Sequence, residues 1–216
     1  MKEIIQNIDR AIKRLYSLEI QFCAEDFIMR RPIAVESIGT ASHEGALYLR
    51  GVRSSLELGI YLSPEICGVL NGLRLDYPLS RWSRNELHCF AVTTEEISHF
   101  LYLLHHASAG RSVSQLELEL QGEIDKFLIL SFLASNDNLG AAYDLFEKIF
   151  MRFHLKDHLT SEQRERYSAA NRLAKRFIQR YGFSFHDPSS RERAFRLLRR
   201  FYRLNMAEKM SILGPH

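Results

Sequence analysis

Three groups of residues in this 216-residue chain have types and spacing suited to chemistry. The first is Glu96-Ile-Ser-His99. On a helix, a Glu and a His three apart face the same side, and Glu-x-x-His supplies two ligands in carboxylate-bridged helical bundles. A di-iron site of that kind needs a second such motif, and the sequence contains none. Glu119 or Glu123 could add one carboxylate from the next helix. A local reading competes with this one, because Glu96 stands three residues after Thr93, at capping-box spacing. The second group is His154-Leu-Lys-Asp-His158, two histidines four apart that can share a metal if the segment is helical. Glu96, His99, His154 and His158 together would form a mixed His/carboxylate centre. A divalent metal there is the one cofactor the sequence suggests. The competing reading for His154 and His158 is placement near a helix C-terminus, where the dipole favours them.

The third group is basic. In residues 161–181, Arg172, Lys175, Arg176 and Arg180 share a side opposite Ala170, Leu173, Ala174, Phe177, Ile178 and Tyr181. In residues 190–204, Arg196, Arg199, Arg200 and Arg203 lie opposite Ala194, Leu197, Leu198 and Phe201. Ordered arginine stripes suit phosphates or acidic protein surfaces. They also suit a solvated helix face, or docking on acidic residues of the same chain such as Glu117, Glu119, Glu123 and Asp125.

Arg180-Tyr-Gly-Phe-Ser-Phe-His186 adds a fourth candidate. An Arg followed six residues later by a His resembles the signature of the HEPN ribonucleases, which are small α-helical domains. The resemblance covers these seven residues. It implies an Arg that holds a phosphate and a His that acts on a ribose hydroxyl. The sequence has no phosphate-binding glycine loop, dinucleotide fingerprint or nucleophile elbow.

The elements that must position these groups follow from periodicity. Ile4, Ile5, Ile8, Ile12, Leu15 and Tyr16 predict an amphipathic helix over 2–18. Leu56, Leu58, Ile60 and Leu62 alternate as a strand, residues 46–50 form its hairpin partner, and 33–38 offers a third strand. From Ser63-Pro64-Glu65 onward the pattern is helical. Hydroxyl-x-x-Glu/Gln pairs at Ser83, Thr93, Ser114, Thr160 and Ser189 predict helix starts. The helices run over about 83–90, 94–108, 114–134, 139–155, 161–181 and 190–204. Trp82 and the scattered methionines, Met151 among them, are expected to pack in the core.

The predicted fold is α+β and predominantly α-helical, with an N-terminal helix, a small antiparallel sheet and a bundle of five or six helices. It is expected to be one domain over 1–216, with a β lobe at 30–62 and a helical body at 63–216. The composition, 46% hydrophobic and 25% charged, excludes a disordered or fibrous chain. Cys23, Cys67 and Cys89 form no CxxC pair, which argues against a disulfide framework and for a reducing compartment. No signal peptide or membrane-length apolar run is visible, so a cytoplasmic protein is expected. The net charge of +3 conceals a split. Residues 1–150 carry −6 and residues 151–216 carry +9. That split makes a binding or regulatory protein the leading expectation, with its basic face toward nucleic acid or an acidic protein. A metal-dependent helical-bundle enzyme is the alternative, followed by a HEPN-like ribonuclease.

Overall fold

The computed structural model describes residues 1–29, 37–38, 44–52, 55–134, 139–151, 159–181 and 187–214. Helix α1, Lys2–Tyr16, buries Ile4, Ile5, Ile8, Ile12, Leu15 and Tyr16, the stripe its spacing dictates. It stops at Ser17, which adopts the left-handed conformation (φ 52°) common at helix ends. A 3₁₀ turn at Ala24–Phe27 leads into β1, Ile28–Met29.

Strands β2 (Ser37–Ile38), β3 (Gly45–Val52) and β4 (Ser55–Leu62) complete a sheet of order β1-β4-β3-β2. The β3–β4 hairpin is in register from Gly45 opposite Leu62 to Val52 opposite Ser55. β2 pairs antiparallel with β3, so part of the expected third strand is present. Residues 30–36, 39–43 and 53–54 of the expected β lobe lie outside the described residues. β1 runs parallel to β4, which makes the sheet mixed where an antiparallel one was expected. Parallel pairing needs a long connection and leaves no hairpin signature in the sequence. Gly59 on β4 leaves room for the Met29 thioether, which a Cβ there would strike. Leu47, Ile60 and Leu62 face inward and are buried, and the sheet packs on α3.

Helix α2, Pro64–Gly72, starts as its sequence predicts, with the Ser63 hydroxyl accepting from the Ile66 amide. Helix α3, Arg84–Ser108, opens on the reciprocal Ser83/Glu86 cap. The two helices expected over 83–90 and 94–108 are therefore one. Nothing in Ala91-Val92 breaks the backbone ladder. The Thr93 hydroxyl, expected to cap a new helix, donates back to the Cys89 carbonyl at 2.8 Å. Glu96 is thus not a capping residue.

Helix α4, Gln115–Ala134, begins at the Ser114/Glu117 cap. Helix α5, Leu139–Phe146, continues into a π-helical turn, Glu147–Met151. The rest of the expected 139–155 helix lies outside the described residues. Met151, expected in the core, is 50% exposed. Helix α6, Ser161–Tyr181, begins at the Thr160/Gln163 cap. Helix α7, Pro188–Arg203, starts earlier than expected. Asp187, not Ser189, is its cap and accepts from the Ser189 amide at 3.0 Å.

Helix α8, Met206–Leu213, was not expected from the sequence. Its capping box uses Asn205 with Glu208, and an amide oxygen serves there as well as a hydroxyl. α3 and α4 pack together at the centre, α6 covers α4, and α1 contacts α3, α4 and α7. Trp82 is buried and meets Phe90 edge-on. No described helix is long and apolar enough to cross a membrane.

Candidate metal centre

Because α3 is unbroken through position 93, Glu95, Glu96 and His99 ride on one rigid rod beside α4. His99 is fully buried and Glu96 is 2% exposed. Glu119 and Glu123 lie one turn apart on α4 and are also buried. Glu96 Oε2 faces His99 Nδ1 at 3.8 Å. Glu119 Oε2 lies 3.9 Å from Nε2, on the other side of the ring. Among the described residues, neither ring nitrogen has a hydrogen-bond partner, and neither does Glu96 Oε2. The donor atoms of Glu95, His99 and Glu119 lie within 4.8 Å of one another, the one such grouping among the described residues.

Glycine makes this convergence possible. A Cβ at Gly122 on α4 would stand 2.9 Å from His99 Nε2 and 3.2 Å from Glu95 Cγ. On the other flank, a Cβ at Gly45 of β3 would lie 3.0 Å from Glu96 Cγ. Both positions give up side-chain volume to let the cluster fit.

Two cations belong to the same cluster. Lys126 Nζ bridges Glu95 at 2.9 Å and Glu123 at 2.8 Å. Arg166 Nε, on α6, lies 3.8 Å from Glu119. Burial opposes charge on Lys126, but Glu123 and Glu95 outweigh it and hold the ammonium well above its ordinary range. Burial pushes the Glu96 and Glu123 carboxyls up. It pushes Glu119 up to about 8 against the pull of His99. Burial also works against a charged His99 ring, but the facing Glu96 and Glu119 carboxylates prevail and raise it to about 9. Left to itself, the cluster balances its negative charge by holding protons.

Such a donor set has defined uses. An imidazole with carboxylates suits Mn²⁺, Fe²⁺ or Zn²⁺. Glu96 opposite Nδ1 matches the carboxylate–histidine–metal arrangement, in which the outer carboxylate fixes the ring and leaves Nε2 to the metal. Bonds of about 2.1 Å would require the three donors to draw in by roughly 1 Å. Glu95 and Lys126 form the edge of the cluster nearest solvent, with side chains 17% and 14% exposed.

The sequence brought only part of this together. Glu96 and His99 are adjacent as expected, and Glu119 and Glu123 join them. His154 and His158 lie outside the described residues. Glu95, Gly122, Lys126 and Arg166 were missed. The adjacent Glu95-Glu96 pair and the Glu119-x-x-x-Glu123 spacing were the available signals.

The basic helices differ more from expectation. Glu117, Glu119, Glu123 and Asp125, one of the alternative surfaces for the basic helices, are all buried and serve internal partners. The Asp125 carboxylate accepts from Tyr16, Ser98 and Gln121. Glu117 accepts from Arg111 at 2.7 Å. The C-terminal arginines bind helix-end carbonyls instead. Arg199 Nε donates to Leu15 at 3.1 Å, and Arg203 donates to Tyr16 at 3.0 Å, both at the end of α1. Arg176 donates to Gly214 at 3.1 Å and Arg180 to Ile212 at 3.2 Å, at the end of α8. Arg196 pairs with Glu192. Lys175 is half-buried, while Arg172 and Arg200 are exposed. In the HEPN-like stretch, Arg180 is thus engaged with a backbone carbonyl, and His186 lies outside the described residues.

No family model, curated protein or solved structure matches the chain.

Proposed function

We propose that the protein binds a divalent transition-metal ion between α3 and α4, with His99 Nε2, Glu95 and Glu119 as ligands. Glu96 orients the His99 ring from behind. The observation that carries this reading is the convergence of one donor atom each from Glu95, His99 and Glu119, all within 4.8 Å of one another beside buried Glu96 and Glu123. Four carboxylates (Glu95, Glu96, Glu119 and Glu123) face two permanent cations, Lys126 and Arg166. A divalent ion on a neutral His99 would replace the protons that His99 and Glu119 hold in its absence. Buried charge is costly unless paired or ligating, and coordination would meet that requirement without the protons. Three protein ligands leave coordination positions for water or substrate, the arrangement of catalytic rather than closed structural sites. The reading is thus a metal-dependent helical-bundle protein.

The experiment is metal loading of chelator-treated protein with Mn²⁺, Fe²⁺ or Zn²⁺, followed by elemental analysis and thermal melting. One equivalent of ion should bind, and the melting temperature should rise with ion concentration. Glu119→Gln separates this from a purely structural ion-pair cluster. It replaces a buried carboxyl that holds its proton at neutral pH with a neutral amide, so the melting temperature of the metal-free protein should change little while the metal-induced rise is abolished. No bound ion and no metal-dependent shift in the native protein would sink the proposal.

A second reading rests on the exposed guanidinium groups of Arg172 and Arg200, which remain available to a polyanion or an acidic protein. Retention on heparin that falls steeply with salt, and weakens in Arg172→Gln/Arg200→Gln, is its signature. The three free cysteines support a cytoplasmic setting for either reading.

A further inference from the structure

A second concavity, of about 440 Å³, opens between α2 and the first turns of α3, where β3 begins. Its floor is apolar, formed by Ile66, Val69 and the buried Cys89. Its rim carries Glu44, Glu65, His88 and Asn85. His88 Nε2 lies 2.9 Å from Glu44 Oε1, which fixes the orientation of that carboxylate. Among the described residues, no Lys or Arg lines the space. From this combination we propose that the pocket binds a small organic cation, a primary ammonium or guanidinium group on a short aliphatic body. The cationic head would sit between Glu44 and Glu65, and the aliphatic part would lie on Ile66 and Val69.

Size and chemistry narrow the ligand class. The volume falls within the range of small-molecule sites, in which an apolar lining is joined by a few oriented polar groups. A bare metal ion needs closely convergent donors, and among the described residues that convergence occurs only at Glu95, His99 and Glu119. The carboxylates here are spread around a wider space. A quaternary ammonium group is recognised by aromatic faces, and among the described residues none lines this pocket. What remains on offer is hydrogen-bond acceptance, from two carboxylates and the Asn85 side-chain oxygen, which suits N–H donors. Burial raises the Cys89 thiol's pKa, and the nearby Glu44 and Glu65 charges raise it further. The thiol therefore acts as floor rather than nucleophile, in a field that attracts cations.

This pocket shares no residue with the His99 cluster, so the two proposals stand or fall separately. The test is calorimetric titration at neutral pH with n-butylamine, its neutral analogue 1-butanol, and tetramethylammonium. Butylammonium should bind at least about tenfold more tightly than either comparison compound. Glu44→Gln/Glu65→Gln should weaken it by at least about tenfold, while His99→Gln leaves it unchanged. Both carboxylates lie outside the core, so the double variant should keep the native circular dichroism spectrum. If it does not, Glu65→Gln alone serves, with a smaller loss of the same sign. Equal binding of amine and alcohol, undiminished binding by the carboxamide variants, or no saturable amine binding would each overturn the proposal.

Discussion

Replacing one hydrogen of Gly122 by a methyl group tests the centre at its tightest point. In an ordinary helix interior, Gly→Ala stabilises by about 1 kcal/mol. At position 122 the new Cβ would stand 2.9 Å from His99 Nε2, inside the space assigned to the ion. Gly122→Ala should therefore abolish metal-induced stabilisation and give up the usual helical gain, as read by melting with and without Zn²⁺. Lys209 supplies a second residue-scale test, away from the metal. It is fully buried, donates to the Tyr102 hydroxyl at 2.8 Å and lies against the Tyr102 and Phe201 rings. Burial lowers its pKa to about 7, although the Glu117 and Asp125 charges oppose this. Between pH 7 and its ordinary value of 10.5, the unfolded chain binds more protons than the folded one, so stability rises with pH across that window. Lys209→Met should raise the denaturation midpoint at pH 7, and its advantage should shrink toward pH 10. An advantage that grows with pH would contradict the assignment. His106 carries the same sign at lower pH. It accepts from Arg111 Nε through Nδ1 at 2.9 Å and bonds the Tyr202 carbonyl through Nε2 at 3.0 Å. Burial, with Arg111 beside it, lowers its pKa to about 3. Its contribution should be lost as pH falls from 6.5 toward 3, visible as the onset of acid unfolding.

At the scale of elements, capping chemistry carried much of the legibility. Ser83, Ser114 and Thr160 form the caps their sequences specify because each precedes a helix with no competing helix before it. Thr93 carries the same pattern and fails, since the preceding turn is already helical and offers Cys89 O to its hydroxyl. That one difference turned Glu96 from a cap into part of a buried centre. The arginine stripes were legible as stripes but not as caps, because their acceptors are backbone carbonyls far away in sequence. Arg199→Gln/Arg203→Gln should destabilise α1 docking by about 1.5–3 kcal/mol, the range for hydrogen bonds to charged groups. Arg172→Gln/Arg200→Gln should change stability by about 0.5 kcal/mol or less, as surface substitutions do. Urea unfolding of the two variants measures the contrast.

Across the whole molecule, the predominantly helical α+β class and the β3–β4 hairpin could be read from periodicity, which is a local property. The parallel β1–β4 pairing and the burial of four carboxylates on α4 could not. The first depends on a long crossover. The second depends on helices packing over both sides of α4, so that Glu117, Glu119, Glu123 and Asp125 look like a solvated face until α1, α3 and α6 are in place. The centre ties α3 and α4 together and meets α6 through Arg166. Loading with Zn²⁺ should therefore slow amide exchange in these three helices and leave the β2–β3 edge unchanged in a hydrogen-exchange map.

The guanidinium caps on α1 also bear on how the chain is made. Arg203 reaches the Tyr16 carbonyl across 187 positions, and the Tyr16 ring stacks on Tyr202 at 4.0 Å. A ribosome adding about 5–20 residues per second needs roughly 10–40 s to travel between those two points. Throughout that interval the C-terminal end of α1 has no α7 to close over it. The end of α1 is thus closed late, and slow synthesis of the middle helices would lengthen its exposure.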